Sequence, residues 1–97
     1  MNKGLDSVFV QLSDREKEAF REAINSVVLE AQNHQHKRQK VTTILEEFAE
    51  MVLAFRGKHD DTPELELIQV ASVCINVLWQ LRLGIDVNNI VTNKDML

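Results

Sequence analysis

Four polar side chains sit where a helical chain would normally place apolar ones. In "TTILEEFAEMVLAF", residues 42–55, Ile44, Phe48, Val52 and Phe55 form one apolar stripe at about 100° per residue. Glu46 falls on the opposite, solvent side, while Glu47 and Glu50 lie together on the shoulder of the stripe, one turn apart. Farther on, "ELIQ" brings Glu66 and Gln69, also one turn apart, onto a second helix that is otherwise apolar. Three carboxylates and an amide facing one gap would repel and raise one another's pKa. A divalent cation removes that conflict, and oxygen ligands of this kind suit Mg²⁺, with Mn²⁺ as a substitute. Glu47, Glu50, Glu66 and Gln69 are therefore the candidate metal ligands. A Glu-x-x-Glu pair alone is common, and the plain alternative is a set of rim charges on a bundle.

The elements that must position these groups are legible in the same chain. With 97 residues, three Gly, one Pro and no Tyr, the sequence predicts a single all-α domain over 1–97. Residues 1–12 form an N-terminal segment whose "SVFVQL" could dock on the core. Ser13 and Glu16 have the form of a capping box, predicting helix one over 13–36 with Phe20, Ile24, Val27, Val28 and Ala31 facing inward. Thr43 and Glu46 predict a second capping box and a helix over 42–56, closed at Gly57. Thr62 as N-cap and Pro63 at the first helical position open helix three, over 63–83, before Gly84. Asp86 can cap a short helix four over 86–96.

Helix three is apolar on most of its circumference, which predicts burial on most sides. Three helices are too few to cover it, so a bundle completed by oligomerisation, as a homodimer or homotetramer, is expected. Glu66, Gln69, Asn76 and Gln80, with Ser72 at the edge, break its apolar surface along one stripe. Such groups need a polar cavity, a wet groove or the polar edge of another helix. A short loop makes helices two and three an antiparallel pair. Glu50 and Gln69 then lie at matching levels, roughly 9 Å from the turn at about 1.5 Å per residue.

Charge and composition narrow the function classes. A net charge of −4 and pI near 5.3 argue against binding a nucleic-acid polymer. The polar interruptions make helix three a poor membrane span, and no signal-peptide pattern opens the chain, so a cytoplasmic protein with no membrane partner is expected. Cys74 reads as a buried, inert thiol. Met51 and Trp79 read as core or interface residues, and Asp60 and Asp61 as loop and cap residues. His34 and His36, two residues apart, diverge on a helix and make a poor metal pair. There is no Gly-rich phosphate loop, zinc-ligand spacing or nucleophile constellation.

"LEEFAEM" followed by "ELIQVA" resembles the EExxE…ExxD signature of the MazG-like all-α nucleoside triphosphate pyrophosphohydrolases. The resemblance covers roughly residues 28–86, including "LGID". It implies an oligomeric, Mg²⁺-dependent enzyme that cleaves NTP or dNTP to the monophosphate and pyrophosphate. The metal-holding role carries to Glu47, Glu50 and Glu66, with Glu46 as the leading acid; Gln69 stands where the family has Asp. An amide oxygen still ligates a cation but brings no charge. In that reading Glu47 or Glu50 is the catalytic carboxylate that orients or deprotonates water. Lys37 and Arg38 are available to clamp phosphates, and Asn76 to touch phosphate, sugar or base. The competing expectation is a non-catalytic helical module for oligomerisation or nucleotide binding, with Lys37 to Lys40 as a solvated linker.

Overall fold

The computed structural model describes residues 11–88. It is all-α, with three helices and no strand among the described residues: α1 (Asp14–Asn33), α2 (Val41–Phe55) and α3 (Pro63–Arg82). The N-terminal segment up to residue 10 and helix four beyond Asn88 lie outside the described residues.

Local chemistry explains most boundaries. Ser13 Oγ accepts the Glu16 N–H at 3.1 Å and Glu16 Oε1 accepts the Ser13 N–H at 2.8 Å, so the reciprocal cap opens α1 as expected. Thr62 Oγ1 accepts the Leu65 N–H at 3.2 Å, with Pro63 at the first position of α3. Gly57 and Gly84 have φ of 71° and 78°. Each closes its helix with the paired bonds of a Schellman motif: Lys58 N–H to the Leu53 carbonyl (2.8 Å), Ile85 N–H to the Gln80 carbonyl (2.9 Å).

Two boundaries differ from the sequence expectation. α1 stops at Asn33, three residues early, and His34 to His36 turn away from it. α2 begins at Val41 behind Lys40, and Thr43 acts from inside the first turn, its Oγ1 accepting the Lys40 N–H at 3.3 Å. Lys40 brings no oxygen to cap the helix. The start is held instead by the Val41 N–H donating to the Val87 carbonyl at 3.0 Å, beyond the far end of α3.

α3 is the central element, packed on α2 along one side and on α1 along another. The Val41–Val87 bond at one end and the short loop at the other make α2 and α3 antiparallel, as predicted. α1 runs parallel to α3: Ala19 and Glu22 lie across a groove near Glu64, and Ala31 lies beside Asn76. The small apolar core is Val73, Val77 and Val87, with Val41 and Ile44 against it.

The inside of α3 is its polar stripe. Glu66, Ser72, Asn76 and Gln80 are the largest side chains with almost no accessible surface, whereas Leu67, Ile75, Leu78 and Leu81 are exposed and Trp79 is 39% exposed. The expectation of a helix covered on most sides is thus not met within one chain. Phe20, Ile24 and Val28 of α1 are likewise exposed, leaving Ala31 as its one buried residue, because α1 meets α3 along a narrow line and no other helix among the described residues packs on it. Cys74, expected to be buried, is exposed on this same outer face. By length and composition α3 alone, among the described residues, could cross a membrane.

Candidate metal centre and adjoining cavity

The α2–α3 turn brings Glu50, His59 and Glu66 together, one ligand atom from each lying within 4.8 Å of the others. His59 Nε2 is 3.7 Å from Glu50 Oε1, and Nδ1 is 3.6 Å from Glu66 Oε2. Glu66 has no accessible surface, and both its oxygens are buried without a hydrogen-bond donor. Burial is the main reason its carboxyl is held above the usual carboxylate range. Next comes the nearby Asp61 carboxyl, which favours keeping a proton between the two acids; the charges of Glu50 and Asp61 add to the shift and His59 opposes it. With both acids ionised, the pair has no donor to share, and a cation would supply what the protein lacks.

Glu47 lies one turn back on α2 and faces a different space. A cavity of about 350 Å³ is lined by Glu47, Gln69, Thr43, Lys37, Arg38 and His34, among others. Its walls differ in charge: Glu47 and Glu30 on the helices, Lys37 and Arg38 on the α1–α2 loop. Glu47 Oε1 is buried with no partner. Burial raises the Glu47 carboxyl, the charges of Glu50 and Glu46 raise it further, and His34 acts in the opposite direction. His34 is itself held by Glu30, with Nε2 3.0 Å from Oε2.

The four expected ligands therefore divide into two adjoining parts. Glu50 and Glu66 meet at the turn with His59, while Glu47 and Gln69 share the cavity. Electrostatic coupling joins them, since the Glu50 charge raises both Glu47 and Glu66. Lys37 and Arg38, the expected phosphate contacts, line the cavity.

Asn76 is placed differently. It is 1% exposed and does not line the cavity; its Nδ2 donates to the Ala31 carbonyl (3.1 Å) and to Gln39 Oε1 (2.9 Å). Gln80 completes this arrangement: its Oε1 accepts the Gln39 N–H at 2.9 Å and its Nε2 donates to the Gln39 carbonyl at 2.7 Å. The polar stripe of α3 thus holds the loop that carries Lys37 and Arg38; the Asn76 Oδ1 is buried without a partner.

His59 is the site residue that spacing along the helices did not reveal. It belongs to no helix, and its one signal is that the loop ending α2 and opening α3 must pass between the levels of Glu50 and Glu66. Against known proteins, the chain matches no family model, no curated protein and no solved structure.

Proposed function

We propose that the chain is a divalent-cation-dependent nucleoside triphosphate pyrophosphohydrolase of the MazG-like all-α kind. The observation that carries this reading is the buried, donor-less Glu66 carboxylate beside Glu50, near a cavity lined by acids as well as by the basic Lys37 and Arg38. A cation explains why an acid is kept at zero accessibility, and basic residues near it suit a polyphosphate.

Glu50 and Glu66 would hold the cation, with Glu47 and the Gln69 amide within reach of it from the cavity. When bound, Mg²⁺ or Mn²⁺ would neutralise charge on the phosphate oxygens. Lys37 and Arg38 would bind the phosphates that extend away from the acids. Glu47 is the best placed general base: half-buried, with its Oε1 shielded and without a donor, and with a raised proton affinity that brings it nearer to neutral operating pH. The Gln69 amide can accept or donate one hydrogen bond at that position without adding a further negative charge. Ser72 Oγ, which also lines the cavity, donates to the Gln69 carbonyl at 2.9 Å. We place the enzyme in the cytoplasm, as a homodimer or homotetramer joined through the apolar faces of α1 and α3.

The test is a screen of purified protein against common NTPs and dNTPs with Mg²⁺, with Mn²⁺ and with EDTA, scoring monophosphate and pyrophosphate separately. Metal-dependent release of both products, lost in Glu47→Gln, supports the proposal. Metal-dependent nucleotide binding without product would make the protein a regulatory binding module, and neither binding nor product would leave an oligomerisation module.

A further inference from the structure

The turn between α2 and α3 places one nitrogen donor among the acids. We propose that His59 ligates the same cation as Glu50 and Glu66, and that this imidazole makes the site select a first-row transition ion, Mn²⁺ or Zn²⁺, over Mg²⁺. The inference rests on reading Glu50 and Glu66 as cation ligands; it does not require hydrolysis.

Three observations converge on His59. Its ring nitrogens stand 3.6 and 3.7 Å from carboxylate oxygens of Glu66 and Glu50. With one atom taken from each residue, the three lie within 4.8 Å of one another. Ligands bonded at about 2.1 Å to one ion are separated by roughly 3 to 4.2 Å, so the groups must close by less than about 1 Å. The loop that carries the ring is fixed at both ends, by the Lys58 N–H bond to the Leu53 carbonyl and by the Thr62 cap, and the Asp61 N–H donates to Nδ1 at 3.1 Å. Finally, Glu66 is fully buried and unpartnered, whereas the His59 side chain keeps 23% exposure, which leaves a way in from solvent.

The chemistry of selection follows from the donor set. Mg²⁺ prefers oxygen ligands and retains its waters, while affinity for imidazole increases across the first-row ions. The Asp61 N–H on Nδ1 leaves the proton of the neutral ring on Nε2, beside Glu50. Ligation through Nδ1 displaces that hydrogen bond; ligation through Nε2 requires the ring proton to move to Nδ1, which then no longer accepts the Asp61 N–H. A histidine that only offsets the charge of two acids would show the same distances, so binding selectivity must decide between the two roles.

The experiment is calorimetric titration of the full chain, free of any polyhistidine tag, with MgCl₂, MnCl₂ and ZnCl₂ separately. The unaltered protein should bind Mn²⁺ and Zn²⁺ at least tenfold more tightly than Mg²⁺. His59→Ala should lose at least tenfold in Zn²⁺ affinity while its Mg²⁺ affinity stays within about twofold. His36→Ala, which removes an exposed imidazole that does not line the cavity, should bind all three ions as before. Equal affinity for Mg²⁺ and Zn²⁺, or a His59→Ala protein that keeps its Zn²⁺ affinity, overturns the inference. Should His59→Ala lose its helical circular dichroism, His59→Asn, which still offers the Asp61 N–H an acceptor, gives the same reading. His59-dependent Zn²⁺ binding without nucleotide turnover would sink the hydrolase proposal and leave this one standing. Mg²⁺-dependent turnover with no His59-dependent binding would do the reverse.

Discussion

Gln80 grips both backbone polar groups of Gln39, accepting from its N–H at 2.9 Å and donating to its carbonyl at 2.7 Å. Two residues 41 apart in sequence thus make a pair of buried bonds of the kind found in a sheet ladder, between a side chain and a loop. The loop is not free to adapt, and Lys37 and Arg38 come to the cavity already placed.

Gln80→Ala removes both bonds and leaves a buried N–H and carbonyl without partners. A loss of about 2–4 kcal/mol in stability is expected, readable as a shifted urea midpoint. If the protein hydrolyses nucleotides, KM should rise more than kcat falls, because the phosphate clamp loses its support and the acids do not.

Glu66 carries a pH dependence with a definite sign. Its folded-state proton affinity is raised, chiefly by burial. Its contribution is therefore fully present below the ordinary carboxylate value and is lost as pH rises through the raised one. Metal-free protein should melt at a higher temperature near pH 5 than at pH 8, and Glu66→Gln should flatten that difference and raise the pH 8 melting temperature by several degrees. Added Mn²⁺ should stabilise the parent protein and not the variant. A parent protein most stable at pH 8 in EDTA would contradict the assigned burial of this charge.

Glu47→Gln keeps the volume of the side chain and removes its basicity. If the protein hydrolyses nucleotides with Glu47 as the base, turnover should fall by about 10²-fold or more, with the melting temperature unchanged or raised. Arg38→Ala should leave more of kcat and raise KM, measured on whichever triphosphate the screen selects.

Gly57 has φ of 71° and no atom within 4 Å of where a Cβ would stand. Gly57→Ala should therefore cost only backbone strain, about 1 kcal/mol, with no clash to relieve. Thermal melting checks the size; a loss several times larger would mean that α2 must bend to accept it.

The exposed apolar faces make self-association measurable through one residue. Trp79 is 39% exposed in the single chain and should be covered when copies join. Sedimentation at micromolar concentration should give a multiple of 11.1 kDa, and dilution should move the Trp79 emission to the red. A monomer at all concentrations would sink the proposed dimer or tetramer.

What the sequence makes legible here is what is local. The Ser13–Glu16 box, Thr62 with Pro63, and the two helix-ending glycines act within a few residues, and each stands where its spacing predicts. The antiparallel pairing sets Glu50 level with Gln69, yet the turn brings Glu50 to Glu66, and Gln69 shares the cavity with Glu47. The polar stripe of α3 was recognisable as needing partners, but its lower half pairs with the Gln39 and Ala31 backbone, and backbone groups are the same at every position of a sequence. α2 opens with the Val41 N–H bonded to the Val87 carbonyl, a contact between distant residues that no capping pattern announces. His59 escaped because helical periodicity says nothing about loops.

Between Gly57 and Pro63 the chain spends five residues, Lys58 to Thr62, with both ends of that interval locked by hydrogen bonds. The interval behaves as a ruler. One residue added or removed there would leave the three helices able to form, yet it would carry the imidazole past the two acids. Length in this turn, more than the identity of its other residues, would then separate chains that keep the chemistry from chains that keep only the shape.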